Sequence, residues 1–217
     1  MYFSVVELNR RRRGTQMLLS SPGKLHGAVM DAFPREAIAG RRVLWRVDHL
    51  SDRTLLYVVS PVRPSFEHIQ EQAGWQHAES WKIRSYQPLL DSLQVGNRYA
   101  FRLAANPTHT VTFPDGRKKK IGHVTAKQQL QWLLDRAETI GVKFPQLEES
   151  VPAVRVIRRD HHQFRKQHHK VTLRTAVFEG ALEVCDPDRL RQALTTGIGR
   201  GKAYGAGLLT LAPLADS

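Results

Sequence analysis

Alternating apolar and polar positions and runs of β-forming residues predict four strands in the first half of the chain, at residues 2–8, 43–48, 54–60 and 81–86. A helix is predicted to begin at Ser21, because serine caps helices and Pro22 suits the first helical position. Leu25, Val29 and Phe33 follow at a spacing of four residues and form its apolar stripe. With a short helix at residues 66–72, the predicted order is strand, helix, strand, strand, helix, strand.

The second half of the chain repeats this order. Strands are predicted at residues 98–104, 151–158, 171–184 and 208–211, with a polar, histidine-rich connection between the second and the third. Helices are predicted at residues 126–140 and 186–195. Two copies of one β-α-β-β-α-β order predict an α+β fold of two tandem ferredoxin-like (RRM-like) domains, at residues 1–92 and 93–217. The repeat lies in the topology, because the two halves share no convincing residue-by-residue identity.

The charge of the chain points to a polyanionic partner. Its 217 residues include 33 Lys and Arg against 20 Asp and Glu, a formal net charge of +13. RNA or DNA is therefore the first partner to consider, with an acidic membrane surface as the competing explanation. No apolar run approaches the roughly 20 residues of a membrane-spanning helix, and the single cysteine, Cys185, excludes an intrachain disulfide framework. We expect a cytoplasmic protein without a membrane partner.

A glycine-rich segment lies near the end of the chain, where five of the eleven residues 197–207 are glycine. Glycines allow backbone N–H groups to approach a phosphate closely, and Arg200 and Lys202 would add positive charge there. The segment is not a Walker loop, because Ala203 stands where Ser or Thr would hold magnesium. A phosphate-binding loop and a flexible connection both remain open on this evidence.

Several blocks of the sequence together resemble one protein family. The blocks are MYFS at residues 1–4, YAFRLAANP at 99–107, VFEGAL at 177–182, GIG at 197–199, KAYG at 202–205 and GLLTLAPL at 207–214. They are similar to the CasE family, the CRISPR-associated endoribonucleases that cut precursor CRISPR RNA in type I-E systems. The resemblance implies tandem ferredoxin-like domains, binding of the CRISPR repeat stem-loop, cleavage without a metal or cofactor, and retention of the product with other Cascade subunits.

The resemblance places a catalytic histidine on the first helix, where this chain has His26. RNA is cut without metal when its own 2′-hydroxyl attacks the adjacent phosphate, and the protein then supplies a proton acceptor, a proton donor and positive charge. Histidine can fill either proton role near neutral pH. The family often carries a tyrosine three residues earlier, where this chain has Gly23, so Tyr2 and Lys24 are the candidates for the second catalytic group.

Residues 155–170 form a basic segment that we expect to bind RNA. Flanking strands would make it a hairpin able to enter a groove of an RNA stem, where phosphate contacts make binding salt-dependent. The alternative is a solvated loop. The paired histidines at 161–162 and 168–169 lack the spacing of a zinc site, so no metal is expected. With the glycine-rich segment, the predicted RNA-binding residues are Arg155, Arg158, Arg159, Arg165, Lys166, Lys170, Arg200 and Lys202.

Two other basic runs and the tryptophans carry less information. Residues 10–13 are four arginines and residues 118–120 are three lysines in a predicted loop, and both are expected to be solvated surface that steers RNA at long range. The four tryptophans, at positions 45, 75, 81 and 132, are expected in the core, and stacking on a base requires one of them to be exposed. Two other functions stay open: an RNA-binding subunit that has lost activity with the tyrosine, and a structural protein that binds another polyanion.

Overall fold

The computed structural model describes residues 1–148, 151–166 and 169–214. The first half contains four strands, four helices and a short 3-10 helix at Glu36–Ile38. These are β1 (Tyr2–Leu8), α1 (Arg13–Leu19), α2 (Pro22–Met30), β2 (Leu44–His49), β3 (Thr54–Ser60), α3 (Glu67–Ala73), β4 (Trp81–Ser85) and α4 (Gln87–Asp91). The strands form one antiparallel sheet in the order β2-β3-β1-β4.

The second half contains the remaining elements and a second sheet. They are β5 (Arg98–Ala105), β6 (Thr108–Thr112), β7 (Lys118–Gly122), α5 (Ala126–Leu134), α6 (Ala137–Ile140), β8 (Val142–Lys143), β9 (Gln146–Glu148), β10 (Val151–Pro152), β11 (Val154–Lys166), β12 (His169–Val184), α7 (Pro187–Thr196), a 3-10 turn (Lys202–Tyr204) and β13 (Leu209–Pro213). The main sheet has the order β11-β12-β5-β13, with β8 paired to β12.

Both sheets arrange their strands in one way. Counted along each half, the spatial order is second, third, first and fourth strand, and each half runs β-α-β-β-α-β apart from short additions. The chain therefore folds into two tandem ferredoxin-like domains, as its hydrophobic pattern predicts. The boundary between residues 92 and 93 stays a prediction. No helix in the described ranges is long and apolar enough to cross a membrane.

Three predicted elements need correction. The lysines at 118–120 are not in a loop: they form β7, which pairs with β6 across a turn where Gly116 has a φ of +80°. The helix predicted at 126–140 is two helices, because α5 ends at Leu134 and α6 begins at Ala137. The strands predicted around the histidine-rich connection extend into it, so β11 and β12 form a ribbon of 13 and 16 residues.

Each domain has its own core. In the first, α1, α2 and α3 pack on the sheet around Val29, Leu56 and Ile69. The second core includes Leu103, Phe178 and Leu190 and also takes in Leu44 from β2 and Val59 from β3. The two domains therefore share apolar contacts at one face of the first sheet, where Leu44 and Val59 are neighbours on β2 and β3.

The expectation that all four tryptophans are core residues is wrong for one of them. Trp45 and Trp132 are buried and Trp81 packs partly buried against the first core. Trp75 lies in the connection between α3 and β4, and 42% of its surface is exposed. A residue in a connection has no sheet or helix face to pack it, so its aromatic character alone predicted its burial poorly.

A buried ionic network joins the domains. The Arg46 guanidinium on β2 binds both carboxylate oxygens of Asp48, at 2.7 and 2.9 Å. It also donates to Arg102 O at 2.8 Å, Leu208 O at 3.2 Å and Thr210 Oγ1 at 2.9 Å, all in the second domain. Asp48 in turn accepts from Arg102 at 3.0 Å. The Arg46 guanidinium thus makes five hydrogen bonds, all of them buried or part-buried.

Candidate active site and RNA interface

The helix that carries His26 begins where the sequence predicts. Ser21 is its N-cap, and its hydroxyl accepts a hydrogen bond from the backbone N–H of Gly23 at 3.2 Å. Leu25 and Val29 are buried in the first core. His26 lies about 100° around the helix from Leu25 and is half-buried, with its Nδ1 shielded from solvent. The imidazole is therefore at the rim of the core and is not sealed inside it.

The glycine-rich segment packs against this helix. Its 3-10 turn, Lys202–Tyr204, contacts both α2 and β2. Gly201 and Gly205 flank the turn with φ angles of +84° and +78°. A Cβ atom on Gly205 would lie 2.6 Å from the ring of Trp45. Glycine is required there for conformation and for space, so the segment is a tightly packed loop and not a loosely attached connection.

A small cavity connects the start of α2 to the ribbon formed by β11 and β12. It has a volume of about 110 Å³ and reaches from α2 past β2 to the glycine-rich loop. Residues that line it include Ser21, Pro22 and Leu25 of α2, His49 of β2, Arg158, Asp160 and His162 of β11, and Tyr204 and Gly205. The fold thereby places the helix of His26, the glycine-rich loop and the basic ribbon around one concave surface.

Burial disfavours the charged forms of two basic groups near this surface. Burial and the nearby Arg42 lower the pKa of the Lys202 ammonium. Burial, then Arg158 and Arg10, lower the pKa of the His49 imidazole. A lowered pKa means that the charged form of each group lacks compensation in the free chain. A phosphate bound at this surface would supply that compensation.

The basic ribbon presents its arginines on two faces, which the sequence did not indicate. A β-bulge between Val156 and Arg158 shifts the register, so Arg155 and Arg158 pair with Glu179 and Val177 on one face. Arg159 points to the opposite side, where its guanidinium donates to Val124 O at 3.3 Å. Strand alternation without a bulge would have put Arg155 and Arg159 together.

The carboxylates beside these arginines offset part of their charge. Arg158 forms an ion pair with Asp160 at 2.8 Å, and Arg155 one with Glu179 at 3.5 Å. Arg200 is exposed, and its backbone bridges to Asn106. The side chains of three other predicted RNA-binding residues lie outside the described part of the chain: Arg165, Lys166 and Lys170.

The two candidates for a second catalytic group lie in different places. Lys24 is exposed on α2, and its Nζ donates to Ser20 Oγ at 3.2 Å. Tyr2 lies in β1 between Ser60 and Ser85, and it is not among the described residues that line the cavity. Lys24 therefore shares an element with His26, whereas Tyr2 does not.

The arginine run at residues 10–13 has a structural role that its charge alone did not suggest. Arg10 donates to Thr54 Oγ1 at 2.7 Å and to Ser51 O at 3.0 Å, and so holds the turn between β2 and β3. Arg12 donates to Gly74 O at 3.2 Å at the end of α3. Within the described ranges, no group of three or more His, Cys, Asp or Glu side chains is arranged to hold a metal ion.

Comparison with known proteins places this architecture in a family. A family model described as "CRISPR associated protein" matches residues 1–213. The chain is 28% identical over 222 residues to the CRISPR-associated endoribonuclease Cse3 of Thermus thermophilus, covering 98% of this chain and 100% of that protein. It is 34% identical over 193 residues to the CRISPR system Cascade subunit CasE of Escherichia coli, covering 88% and 92%.

The solved structures agree with the sequence relatives. Cse3 bound to a 19-nucleotide RNA matches with a TM-score of 0.83 and 27% identity over 98% of this chain and 100% of that one. The Cas6e protein of Escherichia coli matches in fold, with a TM-score of 0.67 and 23% identity over 99% and 100%. The chain therefore belongs to the CRISPR-associated protein family and, within it, to the CasE type.

Proposed function

We propose that this chain is a metal-independent endoribonuclease that cuts precursor CRISPR RNA at the base of the repeat stem-loop. Its relatives are named as an endoribonuclease and as a Cascade subunit. The observation that carries the proposal is the packing of α2, with the half-buried His26, against the turn that contains Lys202. An imidazole on a helix that contacts a turn carrying an ammonium group suits proton transfer at a phosphate.

The reaction we propose is attack by the ribose 2′-hydroxyl on the adjacent phosphorus. The P–O5′ bond breaks as the P–O2′ bond forms, which leaves a 2′,3′-cyclic phosphate and a free 5′-hydroxyl. His26 accepts the 2′-hydroxyl proton or donates one to the leaving oxygen. Lys202 supplies charge to the crowded phosphate, and Lys24 or Tyr2 assists as the second group.

The RNA stem is proposed to lie along the basic ribbon and the glycine-rich loop. Arg158 lines the cavity beside α2, and Lys202 is in the turn that contacts α2, so both cations are placed to attract phosphates bound there. The other contacts are assigned to Arg155, Arg159, Arg165, Lys166, Lys170 and Arg200. Binding through this many cations is expected to weaken steeply as salt rises.

Retention of the product is also part of the proposal. Stem contacts made before cleavage persist after it, so the product stays bound and joins the other Cascade subunits. Excess repeat RNA should then give a burst of about one product per enzyme, because release limits turnover. Linear multiple turnover would contradict retention.

The proposal is tested with a labelled repeat RNA and a chelator. Cleavage is expected to proceed in EDTA and to stop when the nucleotide at the cut site is 2′-deoxy, since the attacking group is then absent, while binding stays nearly intact. Normal cleavage of the deoxy substrate would refute the mechanism. Salt-sensitive binding with no cleavage of the ribose substrate would identify the alternative, an inactive stem-loop-binding subunit.

A further inference from the structure

The connection between α3 and β4 holds an exposed tryptophan in a fixed position. Gln70 organises its backbone: the side-chain Nε2 donates to Trp75 O at 2.6 Å and to Ala78 O at 3.0 Å, and Oε1 accepts from the N–H of Ser80 at 2.8 Å. The N–H of Trp75 donates to Ser80 Oγ at 2.7 Å. Four hydrogen bonds to the side chains of Gln70 and Ser80 therefore hold the backbone of this connection.

The indole itself is also oriented. Its Nε1 donates to Glu7 Oε1 at 3.2 Å, which fixes the ring beside the end of β1. Even so, 42% of the residue is exposed. Ordering a large aromatic group while leaving its surface in water gains little for folding. The arrangement instead suits a ligand with a flat face that covers the ring.

The surface around Trp75 is concave and positively charged. A depression of about 470 Å³ is lined by Asn9, Arg11, Arg12, Trp75, Gln76, His77 and Ala78. In the described part of the chain, neither Arg11 nor Arg12 forms an ion pair with a carboxylate. An aromatic face beside unneutralised guanidinium groups matches a nucleotide, whose base stacks and whose phosphate carries the opposite charge.

This depression is connected to the proposed RNA surface by the chain itself. Arg10 donates to Thr54 Oγ1 at 2.7 Å, and this oxygen is 3.5 Å from Nδ1 of His49, which lines the cavity together with Arg158 of the basic ribbon. The next two residues, Arg11 and Arg12, line the depression. The arginine run thus leads from the side of the ribbon to Trp75, a path that a polyphosphate backbone can follow.

We propose that Trp75, with Arg11 and Arg12, is a stacking platform for an unpaired nucleotide in the single-stranded RNA next to the repeat stem. The inference rests on the proposed function, because it extends the path of the same RNA beyond the stem. The platform reads no sequence, since every base offers a flat face. It adds affinity only for RNAs long enough to reach it.

The test compares repeat RNAs, 2′-deoxy at the cut site, with and without a single-stranded flank on either side. One flank is expected to tighten binding by the wild-type chain, and Trp75→Leu is expected to lose about tenfold in affinity for that RNA. Trp75→Phe keeps a stacking face, so it should retain most of the affinity while the flank-dependent quenching of tryptophan fluorescence disappears. The other tryptophans are buried or partly buried.

Phe113→Leu is the matched control, because Phe113 is another exposed aromatic residue, 37% exposed, on the turn between β6 and β7. It should bind flanked RNA like the wild type. The platform is refuted if neither flank affects affinity, or if Trp75→Leu weakens bare and flanked RNA equally. Failure of the proposed function looks different: the wild-type chain would then not bind or not cut the bare ribose stem-loop.

Discussion

Gly23 is the residue at which this chain departs most clearly from the family resemblance. It lies three residues before His26, at the position where the family often has tyrosine. A Cβ atom there would meet only Ser21 Oγ, at 3.6 Å, an ordinary van der Waals distance. The helix therefore has room for a Cβ atom at this position.

We predict that Gly23→Tyr folds normally and accelerates cleavage under single-turnover conditions, because a hydroxyl is restored one helical turn from His26. Gly23→Phe is the control: it places an aromatic ring at the same position of the helix but adds no hydroxyl. An equal acceleration by both variants would assign the effect to helix stability, since both replace a helical glycine. No acceleration by Gly23→Tyr would show that His26 does not need this partner.

The positive charge of the Lys202 ammonium is expected to lower the stability of the chain in the absence of RNA. Burial and Arg42 lower the pKa of its ammonium group, so the charged form is disfavoured in the free chain. Lys202→Met is expected to raise the melting temperature without RNA and to weaken stem-loop binding, with the slope of log K against log[salt] smaller by about 1. A lower melting temperature together with unchanged affinity would contradict both parts of this account.

Among the elements, the glycine-rich loop matters most for the site, and its conformation follows from close packing. The sequence identified the glycines and left a phosphate-binding loop and a flexible connection as alternatives. Flexibility would need open space, whereas Gly205 lies against Trp45 and Gly197 against Leu44. These neighbours come from the other domain, more than 150 residues away in sequence, so local pattern carries no signal for them.

Two alanine substitutions distinguish the two reasons for glycine in a loop, a positive φ angle and a close packing contact. Gly96 and Gly205 both have positive φ, but a Cβ on Gly96 has no atom within 4 Å. Gly96→Ala should cost about 1–2 kcal/mol of unfolding free energy, and Gly205→Ala about 1–3 kcal/mol more because of the contact with Trp45. Only Gly205→Ala should also slow cleavage. Chemical denaturation measures the unfolding free energy of each variant. If both variants lose the same amount, the contact with Trp45 adds nothing to the cost of Gly205→Ala.

In the basic ribbon, the sequence pattern predicts the strands but not the face on which each arginine lies. Charge and β-forming residues identified the two strands and their arginines. The bulge between Val156 and Arg158 decides which arginines share a face, and nothing in the order of residues specifies it. Similarly, the consecutive lysines of β7 lack the alternation that marks a half-buried strand, so this strand was missed.

At the level of the whole molecule, the two domains are joined by buried charge as well as by apolar contacts. Arg46 and Asp48 lie on β2 in the first domain, while three of the five bonds from the Arg46 guanidinium end on the second. His26 and Lys202 belong to different domains. Their relative position therefore depends on this network.

Asp48→Asn should lower the unfolding free energy by about 3–5 kcal/mol, because it leaves the Arg46 guanidinium buried without a counter-charge. It should also slow cleavage, since the domain contact positions α2 against the glycine-rich loop. Asp52→Asn is the control: Asp52 and Arg53 form an exposed pair, worth less than about 1 kcal/mol. Equal stability of the two variants would show that the network does not hold the domains together.

The tandem architecture was predictable because each β-α-β-β-α-β half has its own hydrophobic periodicity, whereas the catalytic role of His26 rests on the family resemblance and stays a prediction. The interdomain network was not predictable from the sequence, because two charged residues such as Arg46 and Asp48 are expected on a surface. They are buried only because the second domain covers them. Trp75 was wrongly assigned to the core because the sequence shows that the residue is apolar but does not show the path of the connection that carries it. That path leaves the side chain exposed.

The most direct test of the account measures single-turnover cleavage of a labelled repeat stem-loop in excess EDTA by His26→Ala. We expect His26→Ala to bind the RNA with nearly wild-type affinity and to give no detectable product. His161→Ala removes an exposed histidine from the ribbon and should cut as the wild type does. Cleavage by His26→Ala at the wild-type rate would contradict the central claim that this imidazole transfers the proton.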